Sequence, residues 1–440
     1  MLFLLQAIVT TAQPKNPASL HEFSGQWRSI FMATENEGEL KDFNALATGG
    51  YFKYQYKPGK HWQFGSAIYN TLNLGLSDLQ IPDPITGKLS RYEEGLFDRQ
   101  NLNNAYVALL GEIFLTYSNA GNSITLGRFK LTSPQINPED GRMIPTLVQG
   151  IWYNHFGTNK NGFQFGILNR IAPRSTGSFM PIGKSIGAYP TGKDINGAPS
   201  LYANNTDSDF VFVSNFEKRI NHALHFSLWN YFTDNISNTF YFKSEWNISD
   251  SWGVDSEWLH QNRIGNGGNT LEDYRYFQHQ RADVLGLQIR HMPGKSKFQL
   301  GYDYILPGGR FQFPREWGRE YFFSFQKLER SEGSANNHAL VLSYQTPILI
   351  KPETLKVRPI LSAGRHWKAN VLEPENNKYS LPNYAQYNLD VYFDFLKIPD
   401  LHPELLFTYK DAKGSFPDNP NFSINKVNMF HMSLIVNYNF

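Results

Sequence analysis

The chain has 440 residues, 41% apolar and 15% aromatic, and its 41 basic and 39 acidic side chains leave a formal net charge of +2. This balance excludes an electrostatic nucleic-acid binder, which needs a strongly basic surface. The absence of cysteine excludes disulfides, thiolate metal sites and a Cys nucleophile, and the absence of any run of eighteen apolar residues excludes a transmembrane helix.

The first segment, Met1–Ala12 (MLFLLQAIVTTA), is apolar and ends in small residues. Such a segment is typical of a secretory signal peptide, with Thr10 and Ala12 at the small positions before cleavage. The segment lacks the usual basic start, and a buried amino-terminal strand is the alternative interpretation. The pattern favours a signal peptide, and therefore export, followed by a single domain over residues 20–440.

From Leu20 onward the chain reads as strands of about 10 to 13 residues, the length that a tilted strand needs to cross a bilayer. In the second of them, Phe52 and Tyr54 alternate with Lys53 and Gln55, which gives the strand one apolar and one polar face. Tight turns alternate with long polar loops along the chain. This asymmetry is typical of outer-membrane barrels, whereas a propeller or β-helix would show a repeat of fixed period.

The strand count depends on Phe322–Glu329 (FFSFQKLE), which has some strand character. Counting it gives nineteen strands and places the long segment 369–382 at the same end as the tight turns. Bacterial single-chain barrels have even strand numbers, so we assign Phe322–Glu329 to a long loop, 307–335. The sequence thus predicts an all-β fold, a transmembrane antiparallel β-barrel of 18 strands, with 16 as the alternative.

The last strand, 427–440, alternates apolar and polar residues and ends on Phe440. It must close on the first strand near Phe23. A terminal Phe resembles the assembly signal of outer-membrane barrels, and this implies outer-membrane lipid and the barrel-assembly machinery as partners. The alternative is the last strand of a soluble sheet.

Two loop stretches resemble the OprD family of outer-membrane porins. LGRFKLTSPQINPEDGRMIP (126–145) contains a Gly-Arg strand end and an Asn-Pro-x-Asp-x-Arg-x-x-Pro loop, and 309–333 contains Pro-Arg-Glu-Trp-Gly. The resemblance implies a monomeric eighteen-stranded barrel whose loops fold inward, and basic side chains that guide carboxylate-bearing solutes. The residues that it places in the constriction, or at its base in the case of Arg128, are Arg128, Asp140, Arg142, Arg315, Glu316 and Arg319. Arg128 shares the parity of the apolar Ile124 and Leu126, so a strand end or bulge would have to turn it inward.

Strand alternation predicts further charges in the lumen, because an Arg or Lys facing lipid at mid-bilayer costs about 2 to 4 kcal/mol. The inward positions assigned to the solute path in this way are Arg170, Arg290, Asp303, Arg358 and His366. The alternative is that such charges only form salt bridges along the wall. Aromatic residues near strand ends, among them Trp229 and Tyr231, are interpreted as an interfacial girdle or as a sugar-stacking path.

These features predict an outer-membrane porin for facilitated diffusion of small hydrophilic solutes such as amino acids, peptides or aromatic acids. The alternative function is a surface-binding or adhesion barrel, with 173–207 as its contact loop. The sequence contains no HExxH, P-loop or GxSxG motif, so we expect no enzyme activity, no metal and no cofactor.

Overall fold

The protein is described by a computed structural model over residues 20–138, 141–157, 161–351 and 354–440. The predicted signal peptide, Met1–Ala12, lies outside the described residues. No helix within the described ranges is long and apolar enough to cross a membrane.

One antiparallel sheet closes on itself and forms a barrel of eighteen strands, as predicted. The strands are β1 (His21–Asn36), β2 (Phe43–Tyr56), β3 (Trp62–Asn73), β4 (Tyr106–Asn119), β5 (Asn122–Phe129), β6 (Leu147–Phe156), β7 (Gly162–Ala172), β8 (Val211–Arg219), β9 (Leu224–Thr233), β10 (Ser237–Asn247), β11 (Trp252–Arg263), β12 (Arg281–His291), β13 (Lys297–Ile305), β14 (Asn337–Gln345), β15 (Leu355–Trp367), β16 (Tyr384–Phe395), β17 (Leu401–Ala412) and β18 (Met429–Asn439). Short strands Met180–Pro181 and Ile348–Lys351 pair with β7 and β15. The loops carry the short helix α1 (Ile182–Ser185) and 3₁₀ turns at Glu93–Leu96, Glu272–Tyr274, Arg315–Trp317 and Pro420–Phe422.

Each strand pairs antiparallel with its neighbours in sequence, so successive connections alternate between the two ends of the barrel. One end carries the short turns and is called the short-turn end, and the other carries most of the long connections and is called the long-loop end. The connections at the long-loop end are loop 1 (37–42), loop 2 (74–105), loop 3 (130–146), loop 4 (173–210), loop 5 (234–236), loop 6 (264–280), loop 7 (306–336), loop 8 (368–383) and loop 9 (413–428). Loop 5 is an exception to the predicted asymmetry, since it is as short as the turns of the opposite end. Phe322–Glu329 lies in loop 7 and forms no strand, as predicted.

The first and last strands close the barrel. Their register pairs Gln26 with Asn439, and the backbone of Gly25 exchanges hydrogen bonds of 2.8 and 3.0 Å with Phe440. The Phe440 ring covers Gly25, where a Cβ would lie only 2.4 Å from the ring carbon Cζ and 2.8 Å from the carbonyl oxygen of Tyr51. Glycine at this position therefore makes room for the terminal aromatic ring.

We expect Gly25→Val to displace the Phe440 ring and weaken the closing pair. Overpacking of this kind typically costs about 1 to 3 kcal/mol. The measurement is the temperature at which the folded barrel loses its compact electrophoretic mobility. Gly157→Val is the control, because among the described residues the nearest atom to a Cβ there is 3.5 Å away. Equal midpoints for both variants would contradict the role of Gly25.

The hydrophobic core lies inside the barrel. The largest cluster joins the inner wall to the loops, and it includes Ile136 of loop 3, Ile182 of α1 and Trp317 of loop 7. Trp229 and Tyr231 belong to this cluster and are 5% and 0% exposed, so they form neither a girdle nor a sugar path. The lumen is therefore largely filled by loops.

Candidate pore site

Loops 3 and 7 fold into the barrel, as the resemblance implied, and they cross each other there. The Asn137 side-chain amide donates to the carbonyl oxygen of Arg319 at 2.8 Å, and the Arg319 backbone N–H donates back to Asn137 Oδ1 at 3.1 Å. Between them, a Cβ on Gly318 would lie 2.7 Å from the Asn137 backbone nitrogen and 2.8 Å from the Gln135 oxygen. The glycine of the Pro-Arg-Glu-Trp-Gly motif thus permits the close approach of the two loops.

The other residues of this motif fasten loop 7 to loops 4 and 8. The buried Trp317 indole donates to Ser185 Oγ of α1 at 2.8 Å. The Glu316 carboxylate accepts a hydrogen bond from the Gly187 backbone N–H, and the Arg315 guanidinium lies over the Tyr379 ring at 4.9 Å. Arg315 and Glu316 therefore hold loops together and do not line the cavity described next.

A cavity of about 280 Å³ lies between loops 2, 3 and 7 and the wall strands β1, β17 and β18. We call it the pore cavity. Its lining residues include Arg28, Arg142, Arg319, Tyr92, Tyr321 and Phe325. The Arg28 guanidinium donates to the Arg142 carbonyl oxygen at 2.7 Å, and the Arg142 guanidinium donates to the Tyr92 carbonyl oxygen at 2.5 Å. Two predicted residues, Arg142 and Arg319, thus meet a third arginine beside three aromatic rings.

Loop 2, which the sequence interpretation left outside the site, folds into the lumen as well. Its buried 3₁₀ turn, Glu93–Leu96, packs against β1 and β2. A Cβ on Gly95 would collide with the Arg142 guanidinium, at 2.0 Å from Nη1. The Glu93 carboxylate accepts a hydrogen bond of 2.5 Å from the Thr34 hydroxyl. Acidic residues at a glycine-containing turn were the available signal, but the strand pattern does not show which loops fold inward.

Burial raises the pKa of Glu93 to about 7, although the Thr34 hydrogen bond and the charge of Arg142 favour the carboxylate. Because this pKa lies above the ordinary value near 4.5, the neutral acid stabilises the fold below pH 4.5 and the stabilisation is lost as pH rises to 7. The free energy of unfolding of the wild type should therefore fall between pH 5 and pH 8. We expect Glu93→Gln to reduce this fall by up to roughly 3 kcal/mol. Identical pH profiles for wild type and variant would contradict this prediction.

Within loop 7, the first residues of segment 322–329 are held by acidic side chains of the barrel wall. Glu257 accepts a hydrogen bond from the Phe323 backbone N–H at 2.8 Å, and Asp303 accepts one from the Ser324 N–H at 2.5 Å. A Cβ on Gly301 would lie 2.1 Å from the Phe323 oxygen. The wall thus fits the loop backbone closely at this point.

The later residues of segment 322–329 are bound in the same manner by β16, β17 and loop 8. Gln386 donates to the Lys327 carbonyl oxygen at 2.7 Å, and Lys410 donates to the Leu328 oxygen at 2.9 Å. Glu329, 5% exposed, forms ion pairs with Lys368 at 3.2 Å and Lys410 at 3.4 Å. Segment 322–329 therefore crosses the inner wall as a strap bound by wall side chains.

The strap corrects the role expected for two predicted residues. Asp303 and His366 face inward, but each is only 1% exposed. Asp303 binds the loop backbone, and the His366 ring lies 3.2 Å from the Gln326 amide oxygen and stacks on Tyr384. Neither side chain lines the pore cavity, because loop 7 covers both.

Two other predicted residues lie elsewhere in the lumen. Arg290 makes two hydrogen bonds of 2.7 Å with the Asp255 carboxylate and lines a separate polar cavity of about 270 Å³ near the short-turn end. The Arg358 guanidinium lies 4.4 Å from the centre of the Tyr392 ring. The structure does not bring either residue to the pore cavity. Asp140 lies outside the described residues.

The prediction that Arg170 faces inward is wrong. The register of β6 and β7 shifts by one residue, so that Gly150 pairs with Leu168 while Gln149 pairs with Arg170. Leu168 and Ile171 are both fully buried, and the residues between them are exposed. This bulge breaks the alternation and turns Arg170 to the outer face.

Arg128 also lies on the outer face, in register with Ile113 and Gln149 and in phase with the exposed Leu126. Its guanidinium donates to Gln149 Oε1 at 3.0 Å. The strand does not turn it inward, so the position at the base of the constriction that the resemblance implied is not supported.

No family model and no curated protein matches the sequence. Solved structures do match. OccAB4 of Acinetobacter baumannii aligns with a TM-score of 0.68 at 13% identity over 97% of this chain and 100% of its own. OccK8 (OprE) of Pseudomonas aeruginosa aligns with 0.67 at 13% identity over 96% and 98%. OpdK of Pseudomonas aeruginosa, solved with vanillate, gives 0.68 at 13% identity over 96% and 98%. The chain therefore has the fold of the OprD/Occ porins, and the fold that the loop motifs implied is confirmed.

Proposed function

We propose that the protein is an outer-membrane channel through which small hydrophilic solutes diffuse, with a preference for anions that carry an aromatic ring. The pore cavity supports this proposal most directly. Arg28, Arg142 and Arg319 border it together with Tyr92, Tyr321 and Phe325. A guanidinium binds a carboxylate through two parallel hydrogen bonds, and ring faces accept an aromatic solute.

The shared fold adds support for the channel and for the outer membrane as its location. One structure with this fold contains vanillate, which is an aromatic carboxylate. In the outer membrane, the long-loop end of the barrel would face the outside of the cell and the short-turn end would face the periplasm. We further propose that the barrel acts as a monomer, inserts through the barrel-assembly machinery and performs no catalysis.

The alternative function, surface binding through 173–207, has less support. An adhesive loop would expose its apolar residues to a partner. Here Ile182, Ile186, Tyr189 and Tyr202 are all 5% exposed or less. This part of loop 4 contributes to the interior of the barrel.

The test is electrical. Purified protein in planar bilayers under a KCl gradient should give discrete conductance steps and a reversal potential that favours chloride. Arg142→Gln combined with Arg319→Gln should shift the reversal potential toward cations, because positive side chains around a narrow pore select against cations. Arg275→Gln in loop 6 is the matched control, because Arg275 does not line the cavity.

The rate of solute entry into liposomes that contain the protein tests the proposed preference for aromatic anions. Benzoate should enter faster than benzamide, and the double variant should lose this difference. An absence of conductance from wild type would overturn the channel itself. Unchanged ion selectivity and unchanged benzoate preference in the double variant would overturn the role of the arginines.

A further inference from the structure

Two arginines face outward side by side at the long-loop end. Arg128 of β5 and Arg170 of β7 are both in register with Gln149 of β6, which lies between them. Two strand spacings separate their backbones by about 10 Å. Two arginine side chains can span this gap and reach the same group. We call them the outer arginine pair.

The pair has no acidic partner on its own strands. None of β5, β6 and β7 contains an Asp or a Glu. Arg128 donates from Nε to Gln149 and from Nη1 to the Leu110 carbonyl oxygen at 3.3 Å, and its guanidinium lies 4.4 Å from the centre of the Phe179 ring. Within the described residues the Arg170 side chain makes no hydrogen bond and no ion pair, although its backbone pairs with Gln149 and Pro181. Arg128 is therefore held in place, and Arg170 is exposed and available.

The position of the pair on the barrel matches a lipid headgroup. Arg128 is the second-last residue of β5, and Arg170 lies two residues before the end of β7. On the same outer face, one step toward the middle of the barrel, lie Leu126, Ile151 and Ile167, which are exposed by 53%, 52% and 50%. Apolar residues of this kind contact acyl chains, so the arginines lie where acyl chains give way to headgroups.

We infer that the outer arginine pair binds a phosphate group on the headgroup of an outer-leaflet lipid. The inference rests on the proposed outer-membrane location, which places the long-loop end in the outer leaflet. Arginine suits this ligand because its planar N–H fork matches phosphate geometry. The bulge in β7 has a role in this arrangement, since without it Arg170 would face the lumen and Arg128 would be alone.

The experiment uses the full-length protein in detergent with diphosphoryl lipid A as the probe and native mass spectrometry as the readout. Wild type should retain bound lipid A, and Arg128→Gln combined with Arg170→Gln should weaken binding by about tenfold or more, as expected for the loss of charge-assisted hydrogen bonds. Lys218→Gln is the matched control, because Lys218 is an exposed base at the opposite end of the barrel. It should bind like wild type.

Two further arms identify the ligand. Chemically dephosphorylated lipid A should bind wild type as weakly as the double variant does. Millimolar inorganic phosphate should not displace lipid A, because the acyl chains add contacts that the free ion lacks. Equal binding by wild type and double variant, equal binding of dephosphorylated lipid A, or full displacement by phosphate would each overturn the inference. Bilayer conductance of the double variant should equal that of wild type, so failure of the lipid site and failure of the channel are distinguishable.

Discussion

Replacing Glu329 by alanine should release the strap of loop 7 from the barrel wall. Glu329 is buried between Lys368 and Lys410, and the Tyr384 hydroxyl also donates to it. Removing the acid leaves two buried cations without their partner, which typically costs about 3 to 5 kcal/mol. We expect a lower thermal unfolding midpoint together with larger and noisier single-channel currents, because the strap narrows the lumen.

Glu329→Gln separates charge from shape. It keeps the side-chain volume but leaves both lysines unneutralised, so it should resemble the alanine variant in stability. Glu39→Ala is the control, since Glu39 is exposed in loop 1. Unchanged currents and an unchanged midpoint for Glu329→Ala would show that the strap does not depend on this ion-pair cluster.

Gly318→Ala should separate loop 3 from loop 7. The added methyl group would meet backbone atoms of Asn137 and Gln135 at less than 3 Å, and a backbone cannot move aside as a side-chain tip can. The hydrogen bonds between Asn137 and Arg319 should then break, and Arg319 should leave its place at the pore cavity. Single-channel recording should show changed conductance and reduced anion selectivity, with Gly157→Ala as the control. Wild-type selectivity in Gly318→Ala would contradict the importance of the crossing.

The strand count follows from the sequence because it depends on a local property. Alternation in each segment, the turn residues and an even total identify eighteen strands without any knowledge of long-range contacts. Phe322–Glu329 shows how a topological constraint can decide an ambiguous segment. Its amino acids permit a strand. A nineteenth strand, however, would reverse the direction of the last strand, which could then not pair antiparallel with the first.

The site was less predictable because it depends on contacts between distant segments. Asp303 and His366 face inward, as the alternation of side chains along their strands indicates. The alternation does not show that loop 7 covers them. Arg170 shows a second cause. A one-residue bulge reverses the alternation there, and no residue type in the local sequence indicates it. Arg142 and Arg319 were singled out from the loop motifs, whereas nothing in the local sequence of β1 indicates that Arg28 lies beside them.

The pairing of β1 with β18 has a consequence for how the barrel forms. Gln26 and Asn439 lie opposite each other where the first and last strands pair, although almost the whole chain separates them in sequence. Until that contact forms, the sheet has two unpaired edges that can pair with other chains and aggregate. Contacts of such large sequence separation also make folding slow. The lifetime of the unclosed sheet, rather than the stability of the finished barrel, should therefore limit the yield of folded protein.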